Sequence, residues 1–380
     1  MAMGKPGLGD FLKWSAMGPA GSAVSADGQD GFTLIELLVT IVISLFVIAA
    51  TSTLFGQLFA QFKQESRVSQ TDIGDTLGLE YMQKDIQSAG YALPWDVNGV
   101  NPYPESAVAN AVTDDIPPDA PRAIFSLPGA TFNDPDYLVI KSELAAVNDS
   151  AEGKSTMLNS SGPIPWGDPN ENLINSDNVI VESAINNNVS LVNVGGAFSA
   201  QYKDVASLAP TNGTDTYMIY GVANAADAPG GLRMPYNRAD YFVTQTDAPV
   251  PSRCAPGTGE LVKAVMSQKD GTYVYYPILD CVGNMKVEFY LYDSATDTYS
   301  YSNDISAKGT YPAFRIRQQL REVLVYILAQ EGQKDPSYTS PAQIPMYDPY
   351  YSGNFTISNG QLHYRWKIYT IIEKPMNLGQ

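Results

Sequence analysis

The chain has 380 residues, enough for one large domain or two modest ones with a real core. Charged residues make up 17% and tyrosine is abundant at 24, the composition of an exported β-rich protein rather than a cytosolic enzyme. The formal net charge of −17 argues against broad binding to a phosphate backbone.

The first 50 residues hold the sharpest signal. The stretch "DGFTLIELLVTIVISLFVIAA" (30–50) has membrane character, yet it carries a carboxylate, Glu36, near its start. An ionised Glu in hydrocarbon costs roughly 2–3 kcal/mol on insertion scales. A cleaved signal peptide is one reading, with "VIAATS" as the cut. A simple membrane anchor is another, since the 19 residues from Phe32 to Ala50 just span a bilayer as a helix. Neither gives the carboxylate a role.

A third reading does. "GFTLIELLV" resembles the type IV prepilin cleavage motif, with Gly31 before the cut and Phe32 and Glu36 first and fifth in the mature chain. The resemblance implies that a membrane prepilin peptidase removes residues 1–31 as a leader and that the amine of Phe32 is then N-methylated. Glu36 would pair with the N-terminal ammonium of a neighbouring subunit, which makes its burial tolerable.

Helical character continues past the apolar run, with no proline until Pro94. Leu79, Met82 and Ile86, and also Ile73, Leu77 and Tyr81, follow helical spacing and predict packing on a domain. Gly90 is the expected stop. The helix is therefore expected from about Thr33 to Ala89, with Gly56, Gly74 and Gly78 as weak points.

Beyond Gly90 the pattern has period two. Strands are expected at 136–142, 178–183, 189–194, 216–222, 240–244, 261–267, 272–278, 286–292, 322–329 and 364–372. Lys269-Asp270-Gly271 predicts a hairpin turn. "EVLVYILA" (322–329) is apolar on both faces and predicts a central strand. Long loops are expected at 94–134, 143–177 and 332–361.

Cys254 and Cys281 are the chain's two cysteines. In an exported domain they predict a structural disulfide tying the loop before the hairpin to the loop before strand 286–292. With a lone histidine, His363, placed in the last strand, they give no zinc spacing. "GDPNENLINSDN" (167–178) lacks the order of a calcium loop and reads as a polar loop. Arg315, Arg317 and Arg321 read as a solvated approach to strand 322–329, and the Tyr-rich "PMYDPYYSG" (345–353) as cover for a β-domain. No nucleophile, metal or phosphate-loop motif occurs, so neither catalysis nor a cofactor is expected.

The rest of the chain resembles minor pilins of the PilW type. "LEYMQKDIQSAGY" is similar to their helix-to-loop junction, "DYLVI" to their first sheet strand and "ADYFV" to a mid-domain strand. "LDCVGNMKVEFYLYD" is similar to the stretch leading into their repeated strand. "RIRQQLREVLVYILAQEG" and "HYRWKIYTIIEKPMNL" are similar to their last two strands. The resemblance implies an α+β pilin-like fold: a leader (1–31), a long N-terminal helix (32–90) crossing the membrane at about 32–52, and a periplasmic or extracellular β-rich domain (91–380). It implies residence in the bacterial inner membrane as a single-pass protein before assembly, and then in the pilus at the cell surface. The role implied is in a priming or tip complex of a type IV pilus. The partners would be the major pilin, other minor pilins, the prepilin peptidase and the inner-membrane assembly platform, with nucleic acid not expected. A J-type minor pseudopilin of a type II secretion system, and a pilus-tip adhesin or DNA-uptake subunit, are the alternatives.

Overall fold

A computed structural model describes residues 32–99, 120–146, 153–185, 188–192, 196–246, 250–347 and 352–379. One helix, α1, runs Leu34–Ser88, within a residue of the expected bounds at either end. The chain forms two compact units that divide inside this helix, at Gln61/Phe62. The second unit therefore takes in the last part of α1, whereas the sequence alone places the boundary at residue 90.

Within the first unit, Leu34–Phe55 is long and apolar enough to cross a membrane, and none of its surface is buried. Leu34, Phe46 and Phe55 are all more than two-thirds exposed, an apolar surface of the kind that marks a membrane or protein contact.

The second unit is an α+β arrangement with antiparallel strand pairing. In chain order the strands are β1 (Ile124–Leu127), β2 (Tyr137–Lys141), β3 (Ser155–Asn159), β4 (Gly162–Ile164), β5 (Asn178–Ile185) and β6 (Asn188–Leu191). Next come β7 (Ala200–Gln201), β8 (Tyr217–Ala223), β9 (Arg238–Thr244), β10 (Gly259–Met266), β11 (Tyr273–Asp293) and β12 (Thr298–Ser302). A short helix α2 (Ala313–Gln319) precedes β13 (Leu320–Glu331), then β14 (Gln343–Tyr347), β15 (Ser352–Thr356) and β16 (Arg365–Glu373). Among the described residues the main sheet has eight strands in the order β1-β2-β9-β10-β11-β13-β16, with β12 beside β11. A second sheet, β4-β3-β8-β5-β6 with β7 beside β5, has its own apolar clusters, and β14–β15 form a hairpin.

The end of α1 shares the main core. Leu79, Met82, Ile86 and Ala89 lie in one apolar cluster with residues of β1, β2, β9, β10, β11 and β13. Met82 and Ile86 are fully buried, each contributing roughly 1.5–3 kcal/mol. Of the second expected stripe, Leu77 and Tyr81 do not pack, at 57% and 60% exposed, and the side chain of Ile73 lies outside the described residues. At about 100° per residue Leu77 and Tyr81 stand roughly 200° around the helix from Leu79, which turns them away from the sheet. Gly90 ends the helix with φ +80°, the left-handed conformation that favours glycine, and donates its N–H to the Lys141 carbonyl at 2.9 Å.

Several expectations are corrected by the strands. The runs 272–278 and 286–292 belong to one 21-residue strand, β11. Its first half pairs with β10 and its second with β13, with register shifts near the handover. Pro277 and Gly283, residue types that ordinarily weaken a strand, sit beside the register shifts. Cys281 therefore lies inside a strand, at φ +55°, rather than in a loop. It is joined to Cys254 by a disulfide with Cα atoms 4.9 Å apart.

The expected loops hold structure as well. The span 94–134 contains β1, so "DYLVI" is the second strand of its sheet, and 143–177 contains β3 and β4. The span 332–361 contains β14 and β15, and part of the Tyr-rich stretch falls on this hairpin, with 348–351 outside the described residues. The hairpin also explains the apolar character of "EVLVYILA". Val323, Val325 and Ile327 of β13 face the main core, while Leu324, Tyr326 and Leu328 cluster with Met346, Phe355 and Ile357. The Asp-Gly hairpin forms between β10 and β11, where Gly271 has φ +73° and Met266 pairs with Tyr273.

Helix propensity alone makes Gly78→Ala stabilising by up to about 1 kcal/mol. A Cβ at Gly78 would instead lie 2.1 Å from the Ile278 carbonyl oxygen, a backbone atom that cannot swing aside. Gly78→Ala should therefore lower the thermal unfolding midpoint, as read by calorimetry on the detergent-solubilised protein. An unchanged or raised midpoint would show that helix and strand can separate at little cost. Cys254→Ser should also lower the midpoint by several degrees, given roughly 3 kcal/mol from closing a loop of this size.

Candidate assembly site and buried charges

The helix start is built from a four-residue signature. Thr33 precedes the first turn of α1, and Glu36 lies in it. The Thr33 N–H and hydroxyl both donate to Glu36 Oε2, at 3.0 and 2.9 Å, and the Glu36 N–H donates back to Thr33 Oγ1 at 3.3 Å. This reciprocal pattern is a capping box, in which Ser/Thr and Glu three residues apart satisfy backbone donors that the helix leaves open. The Thr-Leu-Ile-Glu spacing was the readable signal for it. Glu36 thus has a use within its own chain, and its Oε1 has no hydrogen-bond partner among the described residues. Phe32 is 85% exposed immediately before the cap. Gly31 lies outside the described residues.

The other sequence candidates scatter. Arg315 and Arg321 stack on tyrosines, with guanidinium carbons 5.1 and 5.2 Å from the rings of Tyr311 and Tyr292. Arg317 is not solvated but fully buried. Its Nη1 donates to the Leu93 carbonyl at 3.1 Å, and its Nη2 to the carbonyls of Pro94 and Pro121 at 2.9 and 3.2 Å. The three arginines therefore form no common basic surface. His363 lies in a turn before β16 rather than within it, with Nδ1 2.7 Å from the Tyr338 carbonyl oxygen. In the 167–178 stretch, Asp168 Oδ1 accepts the Asn170 N–H at 2.9 Å and caps a short 3₁₀ turn. Among the described residues no group of three or more His, Cys, Asp or Glu comes together as a metal site.

Sequence reasoning missed the buried charges of the second unit. Arg238 pairs with Asp240 at 2.6 Å, both essentially unexposed, and Asp240 also accepts the hydroxyls of Tyr137 and Tyr273. Lys263 pairs with Asp85, and Lys286 with Asp136. Glu182 on β5 is buried without a hydrogen-bond partner for Oε1 among the described residues. Burial pushes its carboxyl up to about 7, and the nearby Arg317 charge only partly opposes this.

Residues 27–52 match the family described as the prokaryotic N-terminal methylation motif. The N-terminal apolar helix, Leu34–Phe55, which overlaps this match, fits a membrane-anchored chain. No curated protein sequence matches the chain significantly. Among solved structures, a type IV-like pilin from Thermus thermophilus is similar at 15% identity, over 38% of this chain and 70% of that one, with a TM-score of 0.22. A likeness that low carries no weight here, and the fold class rests on the observed helix and strands.

The Glu182 carboxyl gives a pH signature. A carboxyl raised in the folded state contributes fully below its unfolded value and loses that contribution as pH rises through the folded one. Relative to Glu182→Gln, the wild type should therefore lose stability between about pH 4.5 and about pH 7. Calorimetry of both proteins across that range should show the midpoint gap widening in favour of the variant. A constant gap would mean that Glu182 does not titrate there.

Proposed function

We propose that this chain is a minor pilin of the PilW type, taking part in the priming or tip complex of a type IV pilus. In this reading a prepilin peptidase cuts after Gly31, and the new amine of Phe32 is N-methylated. The apolar half of α1 holds the subunit in the inner membrane as a single-pass anchor until the assembly platform moves it into the filament. The β-rich unit then stands in the periplasm or outside the cell, against the major pilin and other minor pilins. The role is structural rather than enzymatic.

One observation carries the reading. A membrane-length apolar helix, most of it within the matched methylation motif, carries a carboxylate in its first turn. Glu36 Oε2 completes the cap of its own helix, while Oε1 can accept a neighbour's N-terminal ammonium. Such a pair removes the cost of an unpaired charge in hydrocarbon and fixes the register between helices.

Two substitutions separate capping from pairing. Glu36→Gln keeps the capping box, which Gln also forms, but loses the charge; Glu36→Ala loses both. If the carboxylate pairs with a neighbour, both variants insert in the membrane and mature to Phe32, yet both are depleted from sheared filaments. Mass spectrometry of the N-terminus and immunoblotting of sheared material read this out. Normal incorporation of Glu36→Gln would remove the pairing role. A mature N-terminus near Thr51, or an unmethylated Phe32, would overturn the processing itself.

A further inference from the structure

The two buried Lys–Asp pairs differ in how well their charges are surrounded. Lys286 Nζ lies 2.8 Å from Asp136 Oδ1. Asp136 also accepts the N–H groups of Gly129 and Val287, both at 2.9 Å, and Lys286 donates to the carbonyls of Asp134 and Thr131. Both charges are thus met by further hydrogen bonds beyond the pair itself.

The second pair lacks this shell. Lys263 Nζ on β10 lies 2.6 Å from Asp85 Oδ2 on α1, with side chains 4% and 8% exposed. Among the described residues the one further hydrogen bond to that carboxyl comes from the Tyr241 hydroxyl, at 2.8 Å. Lys263 shares a strand face with Leu261 and Val265, and Asp85 sits on the helix between Met82 and Ile86. All four apolar neighbours belong to the main core, as does Tyr241. Burial raises the Asp85 carboxyl above its ordinary range, and Tyr241 is raised well beyond its own. Passing one proton from ammonium to carboxylate leaves a free amine against a carboxylic acid and removes two poorly solvated charges.

We propose that Lys263 and Asp85 condense to an isopeptide bond that fastens the last turns of α1 to β10. The lone pair of Nζ attacks Cγ of the protonated carboxyl. The Tyr241 hydroxyl, held protonated, donates to the carboxyl oxygen on which negative charge develops. The other oxygen leaves as water, taking up a proton shed by the nitrogen. One C–N bond forms, one C–O bond breaks, and no oxidant or reductant is consumed. A cavity of about 660 Å³ lined by Tyr81, Tyr91, Leu144 and Met376, with Asp85 and Lys263 on its wall, gives the water an exit. The bond does not depend on the filament role.

Full-length protein, purified in detergent, reduced and digested with trypsin, tests this directly. The expected product is one branched peptide joining residues 254–269 to residues 85–122, uncut after Lys263 and lighter than its parts by one water. Lys263→Arg should yield the two regions only as separate linear peptides. Asp85→Asn should give the same branched product with loss of ammonia in place of water. Recovery of the wild-type regions as linear peptides of full mass, cut after Lys263, would overturn the proposal. The wild-type digest decides on its own, so a variant that fails to fold leaves the test intact.

Discussion

The close contact between α1 and β11 at Gly78 is the constraint around which the β-rich unit is organised. Only a residue without a side chain lets the helix come so near the Ile278 carbonyl. That approach seats Leu79, Met82 and Ile86 in the main core. It also draws three central strands into one arrangement. β11 gives its first half to β10 and its second to β13, while β10 supplies Lys263 to the Asp85 side chain of the helix. Loosening the helix would part Asp85 from Lys263 as well as expose apolar surface, so the two contacts stand or fall together.

Much of this was legible because it rests on periodicity. Leu79, Met82 and Ile86 mark the buried helix face by spacing alone, and "KVEFYLY" and "EVLVYILA" mark strands by alternation or by continuous apolar character. What escaped was set by distant partners. β1, β3 and β4 are short and lie among Pro, Asn and Gly, and they pair only because longer strands offer them an edge. The register shifts that make β11 continuous leave no mark in local composition. Leu77 and Tyr81 had helical spacing like their neighbours, but periodicity does not say which of two apolar stripes will meet the sheet. The burial of Arg317 had a readable signal: it follows Ala313 and Ile316 at i+4 and i+1, all on the inward face of α2. Charge led the reading toward solvent, and spacing pointed the other way.

At the N-terminus the sequence showed that a carboxylate was present but not how it is used within one subunit. A lone Glu in an apolar run reads as a residue waiting for a partner. The geometry gives it an occupation beforehand, as the acceptor for Thr33. The helix start is therefore ordered within one chain, its open backbone donors met by its own side chains.

Arg317 has a consequence for how this part of the chain is secured. One buried guanidinium holds the carbonyls of Leu93 and Pro94 on one side and of Pro121 on the other. Both ends of the intervening sequence are thereby fastened to a single point of the scaffold. Loss of Arg317 would therefore strip a donor from three carbonyls at once and free both attachments together.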